Sequence, residues 1–423
     1  MARRLKVTDG YTIVNAMMDE ALGKNATIQA IDASSFVSVG ETLLATGVEN
    51  VINTLSLVAS RSLIAVRPYE AKFRLMNALD SGVFSDRIRK ISYYAKDAVP
   101  TGASNTQLFL NLAMGFDNNT NPDANNVPQS VESQYYQSQP VPLELWFSGS
   151  TEWQYPYTLY ENALKKAFRS PEEWTKFLNG FLVSCANDIE QEKESFSRLA
   201  VLNAIAGVAN LTASMPGSFR NLTAEFNAEF NISPAYTTQE LLTTHFREFL
   251  EFYISTVKNI SDKLEDRTIN YHWSPAKTIN GVSYVLPRQT AKSDQRMLAI
   301  SKFWNDAEAR VLPEIFNDKY LKLENFEKIT FWQNANDVFA VKGIPAIPDV
   351  NNPTAQVAGT AVDLPVVLSV IYDRDAIMVD FHLEDISSTE KEARKHYRTV
   401  WNTIQKNLIN DFTENIVVLY MAD

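Results

Sequence analysis

The chain has 423 residues, 45% of them hydrophobic and 21% charged, and a formal net charge of −11. That length allows two or three compact units around a sizeable core. The acidic balance excludes a protein that coats nucleic acid, which needs a basic face against the phosphates, but not one that encloses DNA without gripping it.

Residues 1 to about 60 read as an arm with short helices, the clearest running at helical spacing from Gly40 through Val58. Its basic trio, Arg3, Arg4 and Lys6, reads as a solvated tail, with an inward arm touching DNA or a scaffold as the alternative. Ser62 to Arg67 reads as a short strand. Further on, Ile91–Tyr94 and Leu143–Phe147 are strand-like and flank a polar stretch from Asp117 to Pro140. That stretch is too poor in apolar residues to fold on its own core, so it is expected to be ordered by neighbouring chains.

The strongest local signal begins at Ser170-Pro171-Glu172-Glu173: an N-cap serine, a first-turn proline and a glutamate that completes a capping box. Trp174, Phe177, Leu178, Phe181, Leu182, Cys185, Ile189, Phe196, Leu199, Leu202 and Ile205 then follow a 3.6-residue period. With Gly207 as the stop, the helix spans about 36 residues and about 54 Å. A second capped helix is expected from Thr237, with Glu240 three residues on, to Leu264. Asn280-Gly281 predicts a hairpin turn. Met297 to Ser301 is a buried strand, Phe303 to Phe316 a helix and Glu327 to Trp332 a strand. Beyond a loop carrying Pro345, Pro348 and Pro353, Val366 to Tyr372 and Ala376 to His382 are strands joined by an Asp373-Arg374-Asp375 turn. Val400 to Ile409 and Ile416 to Tyr420 read as further extended segments, or as a short helix and a strand.

Searching for chemistry yields little. His245, His272, His382 and His396 lack metal-ligand spacing. Asp373 and Asp375 suit a tight turn better than a cation site, since no ligand loop follows. Cys185, the single cysteine, lies on the apolar stripe and forms no intrachain disulfide. Phosphate-loop, dinucleotide and nucleophile-elbow motifs are missing. Glu172 and Glu173 are accounted for by the helix N-terminus they occupy. The aromatic group Trp146, Trp153, Tyr155, Tyr157 and Tyr160 suits packing or subunit contact, with a sugar platform as the rival reading. No cofactor or metal is expected. No signal peptide or membrane helix is expected either, which points to folding in a reducing cytoplasm.

The order of these pieces resembles the Hong Kong 97-like major capsid proteins of tailed phages, and most of all those of small podoviruses. Ser170 to Ile205 resembles the family's spine helix. Thr237 to Leu264 with Met297 to Trp304 resembles the axial-domain helix, strand and helix. Gly343-Ile344-Pro345 resembles the loop at the capsomer centre, and Val367 to Asp380 resembles the return to the peripheral domain. Glu414 to Tyr420 resembles the final axial strand. The resemblance implies an α+β fold with an N-terminal arm and lead-in (1–85), an extended loop (86–165), a peripheral domain (166–236 and 376–408) and an axial domain (237–375 and 409–423).

It also implies a structural protein and not an enzyme, forming pentamers and hexamers in an icosahedral or prolate shell around double-stranded DNA. A separate scaffolding protein and a portal protein would be its partners, with assembly in the host cytoplasm and no membrane. Tyr93, Tyr94, Trp146, Trp153, Gly343, Ile344 and Pro345 are the expected intersubunit contacts. An encapsulin-like compartment shell and a soluble carbohydrate-active enzyme are the alternatives.

Overall fold

A computed structural model of the chain describes residues 14–16, 18, 30–45, 73, 76–79, 87–95, 140–148, 151–275, 277–279, 282–310, 325–349, 352, 355–390, 392, 394 and 396–423. The expectations for Ser62 to Arg67, for the polar stretch before Pro140 and for the Asn280-Gly281 turn lie outside them, as do the side chains of Cys185 and His382.

In chain order, α1 (Ala33–Ala45) precedes β1 (Asn77–Leu79), β2 (Arg87–Tyr93), β3 (Pro142–Ser148) and β4 (Thr151–Tyr160). Then come α2 (Glu161–Ala167), α3 (Pro171–Asn210), β5 (Phe219–Asn221), α4 (Leu222–Glu229), α5 (Thr238–Thr243) and α6 (Phe246–Glu265). β6 (Lys277–Ile279) and β7 (Val282–Tyr284) form a ribbon, followed by β8 (Gln295–Ile300), α7 (Ser301–Arg310) and β9 (Phe326–Ile329). Two more ribbons pair β10 (Val341–Gly343) with β13 (Val362–Leu364), and β11 (Ala346–Pro348) with β12 (Gln356–Ala358). The chain closes with β14 (Val366–Asp373), β15 (Ile377–Ser388), β16 (Tyr397–Asn410) and β17 (Ile416–Met421). The architecture is α+β, as expected.

One sheet has the order β5-β17-β14-β8-β9 and is covered on both faces. Leu298, Ile300, Val370, Tyr372, Ile416 and Val418 pack with Ala200, Val201, Ala204, Ile205 and Val208 of α3. The alternate residues Met297, Ala299, Leu368, Ile371, Val417 and Leu419 pack with Phe249, Tyr253, Val257 and Ile260 of α6. Because both faces are dry, Val366 to Tyr372 reads as a nearly continuous apolar run, interrupted by Ser369, and not as an alternating one. A second sheet, β1-β15-β16-β4, lies under the middle of α3. There Phe196 packs on Phe381 at 6.0 Å between ring centroids, and the Asn410 side chain donates to the Ala200 carbonyl at 3.0 Å. One helix of 40 residues, about 60 Å long, therefore joins two sheets.

The start of α3 is as read in its cap and proline: Ser170 accepts from the Glu173 N–H, and Pro171 fills the first turn, but the Glu173 carboxylate turns to Lys176 at 3.5 Å instead of closing a capping box. Its end is not. The helix continues through Gly207 to Asn210 and stops where the Leu211 N–H bonds back to the Gly207 and Val208 carbonyls. Gly207 is small because Phe412 lies against it. The second helix also differs. The capping box at Thr237 and Glu240 is present, but the helix breaks into α5 and α6 at Thr244-His245. Two adjacent threonines weaken the helix there, and the His245 ring stacks on Tyr236 at 4.0 Å. The segment around Val400 resolves as strand alone, with β16 paired on both sides to β15 and β4.

Candidate assembly surface

The hairpin β2–β3 pairs Arg89 with Trp146, Ile91 with Glu144 and Tyr93 with Pro142. Directly opposed residues share a sheet face, so these six form one side of the hairpin. That side is exposed: Ile91 is 47%, Tyr93 62% and Trp146 40% accessible. Arg89 crosses it, bonded to Glu144 at 2.5 Å and lying 5.5 Å from the Trp146 ring centroid. On the other side Leu143, Leu145 and Phe147 are buried with Leu286, Met378 and Ile409.

Tyr94 joins that inner cluster with Tyr284. Of the expected contacts it is therefore a core residue of its own subunit, and burial pushes its hydroxyl pKa up. Trp153 lies elsewhere, on β4. It is 47% exposed, with the buried ammonium of Lys406 4.1 Å beneath its ring. Tyr155 and Tyr157 share its face of β4, whereas Tyr160 points the opposite way and packs on Tyr397 at 5.9 Å. Hence the aromatic group of the sequence is spread over two sheets and both sides of one strand. Gly343, Ile344 and Pro345 sit where β10 leads into β11. Ile344 is 66% exposed and Gly343 is open to solvent, while Pro345 is buried and its carbonyl accepts from the Gly359 N–H at 2.8 Å.

What holds the hairpin is a buried ionic cluster that the motif search missed. Lys90 points inward and pairs with both Asp411 and Glu414 in the turn between β16 and β17. Arg288 meets Glu414 at 3.3 Å, the Thr413 carbonyl at 3.1 Å and the Ser92 hydroxyl at 2.7 Å. Asp411 in turn accepts from the Thr413 N–H and hydroxyl. Burial pushes the Glu414 pKa up, and the nearby Lys90 and Arg288 only partly offset it. Strand alternation hides it: in Lys90-Ile91-Ser92-Tyr93 the apolar residues take the outward phase, so Lys90 falls where a surface residue is expected.

Beside this anchor lies a cleft of about 30 Å³, lined by residues that include Trp146, Trp273, Gln356 and Asp411. That is room for about two water molecules. Among the described residues no group of three or more His, Cys, Asp or Glu side chains is placed to hold a metal ion, and no helix is long and apolar enough to cross a membrane.

Comparison with known proteins adds the family. The family model described as Phi29-like phage major capsid protein matches residues 93–420. A search of curated proteins found no match. Among solved structures, the chain is similar to one from the capsid of Staphylococcus phage Andhra, with 8% identity, a TM-score of 0.49 and coverage of 85% of this chain and 87% of that one. A chain from the structure of the head fiber and inner core protein gp22 of native bacteriophage P68 gives 9% identity, a TM-score of 0.49 and coverage of 84% and 85%. One from the capsid of cyanophage P-SCSP1u gives 9%, 0.41, 82% and 87%.

The protein is thus a structural subunit of a multi-chain viral shell. It belongs to the Phi29-like phage major capsid protein family and forms the capsid of a tailed phage.

Proposed function

We propose that the chain builds an icosahedral or prolate shell around double-stranded DNA by clamping neighbouring copies with its β2–β3 hairpin, and that it catalyses nothing. The observation that carries this is the hairpin's two-sidedness: one side is tied to the subunit's own core, while Ile91, Tyr93 and Trp146 stand together on the other. An exposed apolar row of this kind is favourable only where another surface covers it. In a shell the occupant is a second copy of the same chain. Trp153, Ile344 and Gly343 are further contact candidates. Tyr94 and Pro345, both buried, would support contacts from beneath.

β15 and β16 in one sheet and β8, β14 and β17 in the other support a division into a peripheral domain (166–236 and 376–408) and an axial domain (237–375 and 409–423), with 1–85 as arm and lead-in and 86–165 as the extended loop, although β5 pairs into the axial sheet and β4 into the peripheral one. β15 and β16 belong to one sheet, and the chain crosses at Asp411 to place β17 in the other. Assembly through pentamers and hexamers, in the host cytoplasm with a scaffolding and a portal protein, completes the reading.

The test is a Tyr93→Ser/Trp146→Glu double variant, examined by sedimentation and negative-stain microscopy. The expected result is a folded subunit, with unchanged circular dichroism, that forms few or no closed shells. Shells formed at wild-type yield would refute the clamp.

A further inference from the structure

Closed rings of identical subunits need contacts between two different surfaces. A surface that meets its own copy closes a two-fold dimer, whereas a surface that meets a different one can repeat around a ring. A hairpin that clamps neighbours into pentamers and hexamers therefore needs a receiver elsewhere on the chain. The row to be covered sets the receiver's chemistry. Ile91, Tyr93 and Trp146 are exposed, and the two charges beside them, Arg89 and Glu144, neutralise each other at 2.5 Å. The row thus offers apolar bulk and no net charge. A charged receiver would lose its hydration there and gain no partner.

Most of the other large apolar side chains exposed among the described residues are engaged within their own subunit. Trp153 lies on Lys406, Tyr160 packs on Tyr397, and Phe230 packs with Phe226 and Phe252. Val357 pairs with Ile347, which packs on the core, and Ile31 belongs to the arm at the foot of α1. The remaining two, Leu199 and Ile344, are 51% and 66% accessible.

Folding brings these two to one joint. Asn203 Nδ2 donates to the Ala346 carbonyl at 3.1 Å, and Asn203 Oδ1 accepts from the Ala346 N–H at 2.7 Å. β11 thus lies along α3 as it would along a neighbouring strand. Leu199 precedes Asn203 by one helical turn and shares its face. Ile344 precedes Ala346 by two residues and shares its side, because Pro345 between them is turned inward and buried. Ala358 stands opposite Ala346 in the β11–β12 ribbon, and both alanines are exposed. The face so formed has two large apolar side chains, two small ones that leave room for a ring, and no charge. The Lys342 and Asp363 side chains of the neighbouring β10–β13 ribbon are paired with each other at 3.1 Å.

We propose that this face is the receiver: the hairpin of one copy seats Tyr93 and Trp146 on Leu199, Ile344, Ala346 and Ala358 of the next copy. The proposal rests on the clamp reading and adds its direction. The contact runs head to tail, so each copy gives one hairpin and accepts another, and the chain of contacts closes as a ring.

The measurement is photo-cross-linking of assembled shells that carry p-benzoylphenylalanine in place of Tyr93, which keeps an aromatic ring at that position. Cross-linked peptides are located by mass spectrometry. Links to another chain are expected mainly in peptides covering 196–203, 343–349 and 355–360. In addition, Leu199→Glu, at an exposed position, should leave the circular dichroism of the subunit unchanged. It should lower the yield of closed shells by about tenfold or more, since each contact would bury an unpaired carboxylate. Wild-type shell yield from Leu199→Glu overturns the receiver. Interchain links concentrated elsewhere, including hairpin to hairpin, overturn it too but leave the clamp standing. If position 93 links to no other chain in the shells, the clamp itself fails and the receiver with it.

Discussion

A methyl group built on Gly207 would stand 2.6 Å from Cε1 of the Phe412 ring, so the long helix and the β16–β17 turn meet at a contact that only glycine permits. Gly207→Ala should therefore destabilise the subunit by about 1–3 kcal/mol, the usual cost of overpacking, despite alanine's better helix propensity. Gly180, in the same helix, has nothing within 4 Å of its would-be Cβ. Gly180→Ala should stabilise by up to about 1 kcal/mol. Urea unfolding of the unassembled subunit would measure both. Shifts of the same sign would refute the distinction.

Lys90→Met should be among the most damaging single changes to the hairpin. It leaves Asp411, almost wholly buried, beside Glu414 with no ammonium between them, and breaking such a cluster costs about 3–5 kcal/mol. The same ammonium makes an alkaline prediction. Burial opposes its charge, but Asp411 and Glu414 outweigh that and hold its pKa above the ordinary 10.5. Its contribution is fully present below pH 10.5 and is lost as pH climbs through the raised value. Near-ultraviolet circular dichroism between pH 9 and 12 should show hairpin loosening only at the upper end. A transition already complete at pH 9 would contradict it.

The Lys406 ammonium pairs with Glu192 of α3 at 2.5 Å and lies under Trp153 at 4.1 Å and beside Phe196 at 5.3 Å. Its side chain is almost fully buried, while that of Glu192 is about a third exposed. The two partners should therefore respond unequally. Glu192→Gln strands a buried cation and should cost about 2–3 kcal/mol, whereas Lys406→Met leaves a carboxylate that water can reach and should cost about 1 kcal/mol or less. Thermal unfolding of the two variants decides it, and the reverse order would sink the argument.

Two asparagines seven residues apart on α3 read loop backbone. Asn203 bonds both the N–H and the carbonyl of Ala346, at 2.7 and 3.1 Å. Asn210 bonds the N–H, carbonyl and hydroxyl of Thr360. An Asn203→Ala/Asn210→Ala variant should free the β10–β13 ribbons from the helix and speed exchange of the Ala346 and Thr360 amides tenfold or more, equivalent to about 1.4 kcal/mol of lost protection. Unchanged exchange at both amides would show that the ribbons are held by their apolar contacts alone.

Local chemistry wrote much of this protein into its sequence. The Ser170-Pro171 cap, the apolar stripe of α3, the Thr237–Glu240 capping box, the Asp373-Arg374-Asp375 turn and the apolar strands around Ile371 and Val417 depend on residues close together in the chain, and each is legible there. So was the order of elements that marked the family. Tertiary structure alone decided the rest, because it turns on residues far apart. Gly207 reads as a helix stop until Phe412, 205 positions further along, is seen to fill the space beside it. Lys90 reads as one more surface lysine until folding brings Asp411 and Glu414 to it across more than 300 residues. The aromatic group from Trp146 to Tyr160 looks like one cluster in the sequence. Strand alternation and the division into two sheets then send its members to different surfaces. Periodicity and capping are local energies and appear as pattern. Close packing and ion pairing are energies of spatial neighbours, and only the fold fixes which neighbours those are.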